Sequence, residues 1–198
     1  MILADEPIEN EPMMVPPWTP GQRYLRAATV PSVADQAISA ATLTLLTGTS
    51  LAPNGFYVGQ TFRWVIVGNG GALGTSANTI TVKIGTANTT ADATVATFTT
   101  SVGTAAASNF QIEITLTIRT LGASATALAQ CVILNSAATG FVSIGTSVLI
   151  GTMSTFNSTT AAQFVHVDLT TGASKTATIQ MATGEVYAPD NPQALTFL

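Results

Sequence analysis

The run Phe110-Gln-Ile-Glu-Ile-Thr-Leu-Thr-Ile-Arg-Thr120 decides the fold class. In it Phe110, Ile112, Ile114, Leu116 and Ile118 alternate with Gln111, Glu113, Thr115, Thr117 and Arg119. Successive side chains of a strand point to opposite faces, so this period of two puts five apolar residues on one buried face and the polar ones on the other. A helix would scatter the same five residues around its circumference.

The same alternation, shorter, runs outward to Phe62-Arg-Trp-Val-Ile-Val67 and Ile80-Thr-Val-Lys-Ile84. Further apolar, β-rich runs lie at 38–46, 93–100, 126–134, 141–150, 163–169 and 177–187. Turn-forming clusters separate them: Ala-Pro-Asn-Gly at 52–55, Gly-Asn-Gly-Gly at 68–71, Gly-Thr-Ala-Asn at 85–88, Leu-Gly-Ala-Ser at 121–124 and Thr-Thr-Gly-Ala-Ser at 170–174. The alanines of 101–109 could suggest a helix, but fewer than three turns between two strands read as a loop. Short strands at close spacing, with no helical stretch and no fixed repeat, predict an all-β fold: a single antiparallel β-sandwich, jelly-roll-like, over residues 36–189.

Residues 1–35 differ in kind. They hold six of the nine prolines, Pro7, Pro12, Pro16, Pro17, Pro20 and Pro31, and five acidic residues against Arg23 and Arg26. Proline fixes its own φ, lacks an N–H and pushes the preceding residue toward extended geometry, so neither a helix nor a central strand suits this segment. An extended, acidic N-terminal arm is expected, with Met13, Met14, Pro16, Pro17, Trp18 and Tyr24 as the residues that bind a partner. Residues 190–198 form a tail whose Leu195, Phe197 and Leu198 are expected to pack against something. The start, Met1-Ile-Leu-Ala-Asp-Glu-Pro, has no basic residue and no apolar stretch, so no secretory signal is expected.

Charge is the scarce commodity. Only 8% of the residues are charged, where an ordinary soluble domain carries about 25%, and 34 Thr with 30 Ala supply much of the bulk. Six Lys+Arg against ten Asp+Glu leave no cationic patch for phosphates, so no nucleic-acid partner is expected. No run of 18 or more apolar residues occurs, and no membrane span is expected. Residues 36–189 contain Asp92, Glu113, Asp168 and Glu185 against Arg63, Lys83, Arg119 and Lys175. A free monomer uses surface charge to prevent association, so this deficit predicts burial of surface between copies of the chain, in a closed ring.

Chemistry-bearing residues are few. His166 is the only histidine, and in Phe164-Val-His-Val-Asp168 it shares a face with Asp168. The pair could imitate part of a hydrolytic triad, but no Gly-x-Ser-x-Gly elbow accompanies it, and a structural histidine bonded on a sheet face is the expectation. Carboxylates so sparse predict cross-strand ion pairs in place of a glycosidase dyad. Gly68-Asn-Gly-Gly-Ala-Leu-Gly74 leads into a strand where a phosphate cradle needs a helix. Cys131 alone permits no intrachain disulfide, and one Cys with one His builds no metal cluster. The chain is therefore read as no enzyme, with no catalytic, cofactor-binding or metal-binding residues and no cofactor.

Three stretches resemble a known class. Tyr57-Val-Gly-Gln-Thr-Phe-Arg-Trp-Val-Ile-Val-Gly-Asn-Gly70, Thr79-Ile-Thr-Val-Lys-Ile-Gly-Thr86 and Phe110-Gln-Ile-Glu-Ile-Thr-Leu-Thr-Ile-Arg-Thr-Leu-Gly-Ala-Ser124 resemble structural proteins of tailed bacteriophages. These are Thr/Ala/Gly-rich β-sandwich modules of head decoration proteins, head fibres or tail-associated proteins. The likeness spans roughly residues 55 to 150 and brings no catalytic residue. It implies a viral structural protein, folded in the host cytoplasm and located in the virion. The favoured role is a capsid decoration or cement protein, a homotrimer binding the major capsid protein or another virion protein through its arm. The alternative is a head-fibre or tail-associated host-binding module, reading host glycans through loops such as 68–78.

Overall fold

The computed structural model describes residues 24–28, 35–39, 43–51, 55–70, 77–100, 108–137, 143–159, 163–173 and 176–188. Among them are twelve strands and no helix. They are β1 (Tyr24–Ala28), β2 (Gln36–Ser39), β3 (Leu43–Leu51), β4 (Thr61–Gly70), β5 (Thr79–Gly85), β6 (Ala93–Thr99), β7 (Ser108–Ile118), β8 (Ala127–Ala137), β9 (Ser143–Ile150), β10 (Thr152–Met153), β11 (Gln163–Thr170) and β12 (Thr176–Ala188). All pairings are antiparallel.

The first sheet runs β1-β12-β4-β7-β8-β9, with β2 also on β12. Its register matches apolar to apolar: Phe62, Trp64 and Ile66 of β4 face Leu116, Ile114 and Ile112 of β7. On the far side Ile112, Ile114 and Leu116 face Ile133, Cys131 and Ala129 of β8, so small residues stand beside large ones. The second sheet runs β10-β6-β5-β11-β3 and contributes Ile80, Val82, Ile84, Val95, Phe98, Val165, Val167 and Leu169. The inward residues of both sheets form one core, the arrangement of a sandwich.

Three expectations change in detail. The apolar run 38–46 is not one strand, because β2 and β3 belong to different sheets and the chain crosses between them within it. Gly68 to Gly70, read as a turn, continue β4 opposite Asn109 and its neighbours. A Cβ on Gly68 would lie 2.3 Å from the Thr178 carbonyl oxygen and 2.9 Å from the Phe110 ring, so glycine here permits close backbone approach. Finally, Tyr24–Ala28, inside the stretch read as arm, forms an edge strand against Glu185–Ala188 of β12. Residues 101–107 and 189–198 lie outside the described residues, as does the arm before Tyr24.

Candidate functional site

Among the described residues, the densest group of ionisable side chains lies on the outer face of the second sheet. Alternation along β11 sends Val165, Val167 and Leu169 into the core and His166 and Asp168 outward, yet both of the latter are fully buried. The cover is the β5–β6 connection. Asn88 adopts φ 53°, a left-handed conformation that Asn tolerates better than most residues, and the loop returns Asp92 over the sheet. The Asp92 carboxylate accepts hydrogen bonds from the Ala87 amide (3.2 Å) and the Thr89 amide (3.2 Å). Gly85 makes room, because a Cβ there would sit 2.2 Å from Asp92 Oδ1.

Register supplies the remaining members. Lys83 lies directly across from His166, and Thr81 from Asp168. Lys83 Nζ donates to the Thr90 carbonyl (2.7 Å) and the Asp92 carbonyl (3.0 Å), which ties the loop down. His166 Nδ1 lies 2.9 Å from Asp168 Oδ1, and Nε2 lies 3.2 Å from Asp92 Oδ2. A carboxylate oxygen thus faces each ring nitrogen, and only the imidazolium can donate from both. Lys83 Nζ stands 4.0 Å from Asp168 Oδ2, and that oxygen has no hydrogen-bond partner. Burial alone would raise the Asp92 carboxyl, but the Thr89 and Ala87 amides and contact with His166 outweigh it and hold it below the usual carboxylate range.

This geometry decides what the group can do. Both nitrogens of His166 are engaged and the ring meets no solvent, so it cannot take a proton from a serine or a water presented from outside. Its sequence partner Asp168 was legible; Asp92 and Lys83 were not. Cys131 is buried in β8, its thiol pushed up to about 12 by burial, and is correspondingly inert. Among the described residues no His, Cys, Asp or Glu group is arranged to hold a metal ion.

The outer face of the first sheet carries a second, wetter cluster. Arg63 of β4 donates to Glu113 of β7 (2.8 Å) and Glu185 of β12 (3.3 Å), and the Tyr187 hydroxyl donates to Glu185 (2.6 Å). The Arg63 bond lowers the Glu113 carboxyl, and the Glu185 bond raises the Tyr187 hydroxyl. These are the cross-strand ion pairs expected of Glu113, with Arg63 at the centre while Arg119 is exposed.

Beyond them the same face becomes apolar. Of six large exposed hydrophobic side chains among the described residues, Leu128, Leu134, Val148 and Ile150 all lie on β8 and β9, Ile150 at 82% exposure. Val132 faces Val148 and Gln130 faces Ile150, so the patch is one stripe along an edge strand. Of the residues expected to bind a partner, Met13, Met14, Pro16, Pro17 and Trp18 lie outside the described residues, and Tyr24 opens β1 opposite Ala188.

No family model matches the chain, and no curated protein matches it. Among solved structures it is similar to the CBM2 module of the evolved Dit of Lactobacillus casei BL23 phage J-1. The TM-score is 0.32 with 11% identity, over 73% of this chain and 70% of that one, a likeness that carries no argument about activity or ligand.

Proposed function

We propose that the chain is a non-enzymatic structural protein of a bacteriophage particle, a capsid decoration or cement protein. It is a jelly-roll-like sandwich that assembles with copies of itself, as a homotrimer, and grips the head shell through the Pro-rich arm ahead of β1. The observation that carries this reading is the apolar stripe of Leu128 and Leu134 on β8 with Val148 and Ile150 on β9. Large contiguous apolar surface on a soluble protein marks an interaction site, and β9 has neither charge nor proline to protect its edge. The sealed state of His166, Asp92 and Asp168 supports a role in assembly over one in catalysis.

The test is the mass of the full chain in solution together with its incorporation into particles. A closed oligomer that Val148→Lys with Ile150→Glu dissociates is the expected result, and removal of residues 1–22, which spares β1, should abolish incorporation. A chain that stays monomeric at all concentrations, or a truncated chain that incorporates normally, overturns the reading. The host-binding alternative predicts instead that the isolated chain adheres to host cells. The large exposed apolar side chains among the described residues are aliphatic, and sugars stack on aromatic ones.

A further inference from the structure

We propose that the side chains of Lys83 and Asp168 condense within the folded domain to an amide, a covalent tie between β5 and β11 in the second sheet. The inference goes beyond the virion reading and does not depend on it.

A buried amine stands beside a buried carboxyl, one oxygen of which has no hydrogen-bond partner. Lys83 is 7% exposed and Asp168 is fully buried, and their strands are hydrogen-bonded neighbours. Nζ stands 4.0 Å from Oδ2, too far for a hydrogen bond, and Oδ2 has no partner. An ion pair removed from water without a hydrogen bond between its partners recovers little of its desolvation cost, a cost that an amide in its place does not carry.

The neighbours hold both reactants. The carbonyls of Thr90 and Asp92 fix the amine from the loop side, leaving one ammonium proton for the Asp168 side. His166 Nδ1, 2.9 Å from Oδ1, fixes the carboxyl and stands where negative charge would develop. Asp92 in turn occupies the other ring nitrogen.

The step balances without a co-reactant. A proton passes from Lys83 Nζ to Asp168 Oδ2, giving amine and acid. The nitrogen lone pair attacks Cγ, and the carbonyl π pair moves onto Oδ1 beside the His166 N–H. When that pair returns, the Cγ–Oδ2 bond breaks, and Oδ2 leaves as water with a proton from the nitrogen. One C–N bond forms, one C–O bond breaks, and nothing is oxidised. Condensation of an ammonium with a carboxylate is unfavourable between separate molecules in water. Here the two groups are held as neighbours in a buried site, which raises the effective concentration of one at the other, and the full gain comes once Nζ moves in from 4.0 Å to within about 3.5 Å. The flexible Lys83 stem supplies the remaining approach. The result is a crosslink indifferent to redox conditions, in a chain whose lone Cys131 can form no intrachain disulfide.

The test is the intact mass of the full-length chain under denaturing conditions. The expected value lies one water molecule below the mass of the sequence, with fragmentation placing the loss in a branched peptide that joins the segments around Lys83 and Asp168. Lys83→Arg should restore the full mass. A wild-type chain at full mass, or a dehydration mapped to any other pair of residues, overturns the proposal. His166→Gln should leave a fraction of chains at full mass; complete condensation in that variant would remove His166 from the reaction.

Discussion

Each sheet places one nitrogen-bearing side chain between two acidic side chains on its outer face, one cluster partly exposed and the other buried. On the first sheet Arg63 sits between Glu113 and Glu185 with roughly a third of each side chain exposed. On the second, His166 sits between Asp92 and Asp168 with almost nothing exposed. Exposed pairs gain little because water screens them and ordering two long side chains costs entropy. Buried groups have lost their water, so removing one member strands the others. A chain with four acidic and four basic residues over 36–189 keeps three of the eight, Lys83, Asp92 and Asp168, in the dry cluster. The contrast teaches that charge is sparse on the described surface, while the interior uses buried polar side chains to hold a loop in place.

Removing His166 breaks the comparison hardest. His166→Ala leaves the buried Asp92 carboxylate without the ring nitrogen it faces, and a buried charge left uncompensated typically costs about 3–5 kcal/mol. Urea unfolding of variant and wild type should show that loss, a large share of the 5–15 kcal/mol typical of a whole domain. A cost below about 1 kcal/mol would mean that the site takes up water readily and is not the sealed cluster described.

Gly85→Ala attacks the same cluster from behind. The new Cβ would meet Asp92 Oδ1, Cγ and Cβ at 2.2, 2.3 and 2.7 Å, so the side chain must leave His166 or the backbone must shift. Overpacking of this kind costs about 1–3 kcal/mol. The loop 86–92 should also lose protection of its amides in hydrogen exchange, whereas protection in β7 should be unchanged.

How far these clusters could be read in advance differs for a physical reason. Alternation is a local property, so β4, β5 and β7 and the shared face of His166 and Asp168 follow directly from the order of residues. Asp92 reaches His166 only because the loop turns back through Asn88 and Gly85 spares the space, and Lys83 only because β5 pairs with β11 in that register; no periodicity encodes either. The break between β2 and β3 was hidden because an apolar run looks the same whether it stays in one sheet or crosses to another. The stripe on β8 and β9 escaped for a related reason. Both faces of 126–134 are rich in apolar residues, and sequence alone does not say which of two apolar faces meets solvent.

Acid should act on both clusters with the same sign. Asp92 and Glu113 are each held below the ordinary carboxylate range, Asp92 by amide hydrogen bonds and His166 overcoming its burial, Glu113 by Arg63. A carboxyl depressed in the folded state contributes stability that is fully present above its unfolded value, near pH 4, and lost as the pH falls through the folded one. Stability should therefore decline below about pH 4. Asp92→Asn should flatten that decline at any ionic strength, whereas the part due to Glu113 should shrink in high salt because its pair is exposed. An acid slope that Asp92→Asn leaves unchanged would assign the loss to other carboxyls.

The smallest effect is the one that sharpens the contrast most. Arg63→Met removes the hub of the exposed cluster while keeping much of its aliphatic stem, so the packing over β4 survives. Glu113 and Glu185, each about a third exposed, can then be rehydrated where they stand, and the expected cost is roughly 0–1 kcal/mol, smaller still in high salt. The Tyr187 hydroxyl keeps its bond to Glu185 in the variant, which limits the loss further. Should Arg63→Met cost as much as His166→Ala, exposure would not be what separates the two clusters. The outer face of the first sheet would then have to be covered in solution, and the natural cover is the neighbour that the adjoining stripe on β8 and β9 is proposed to bind.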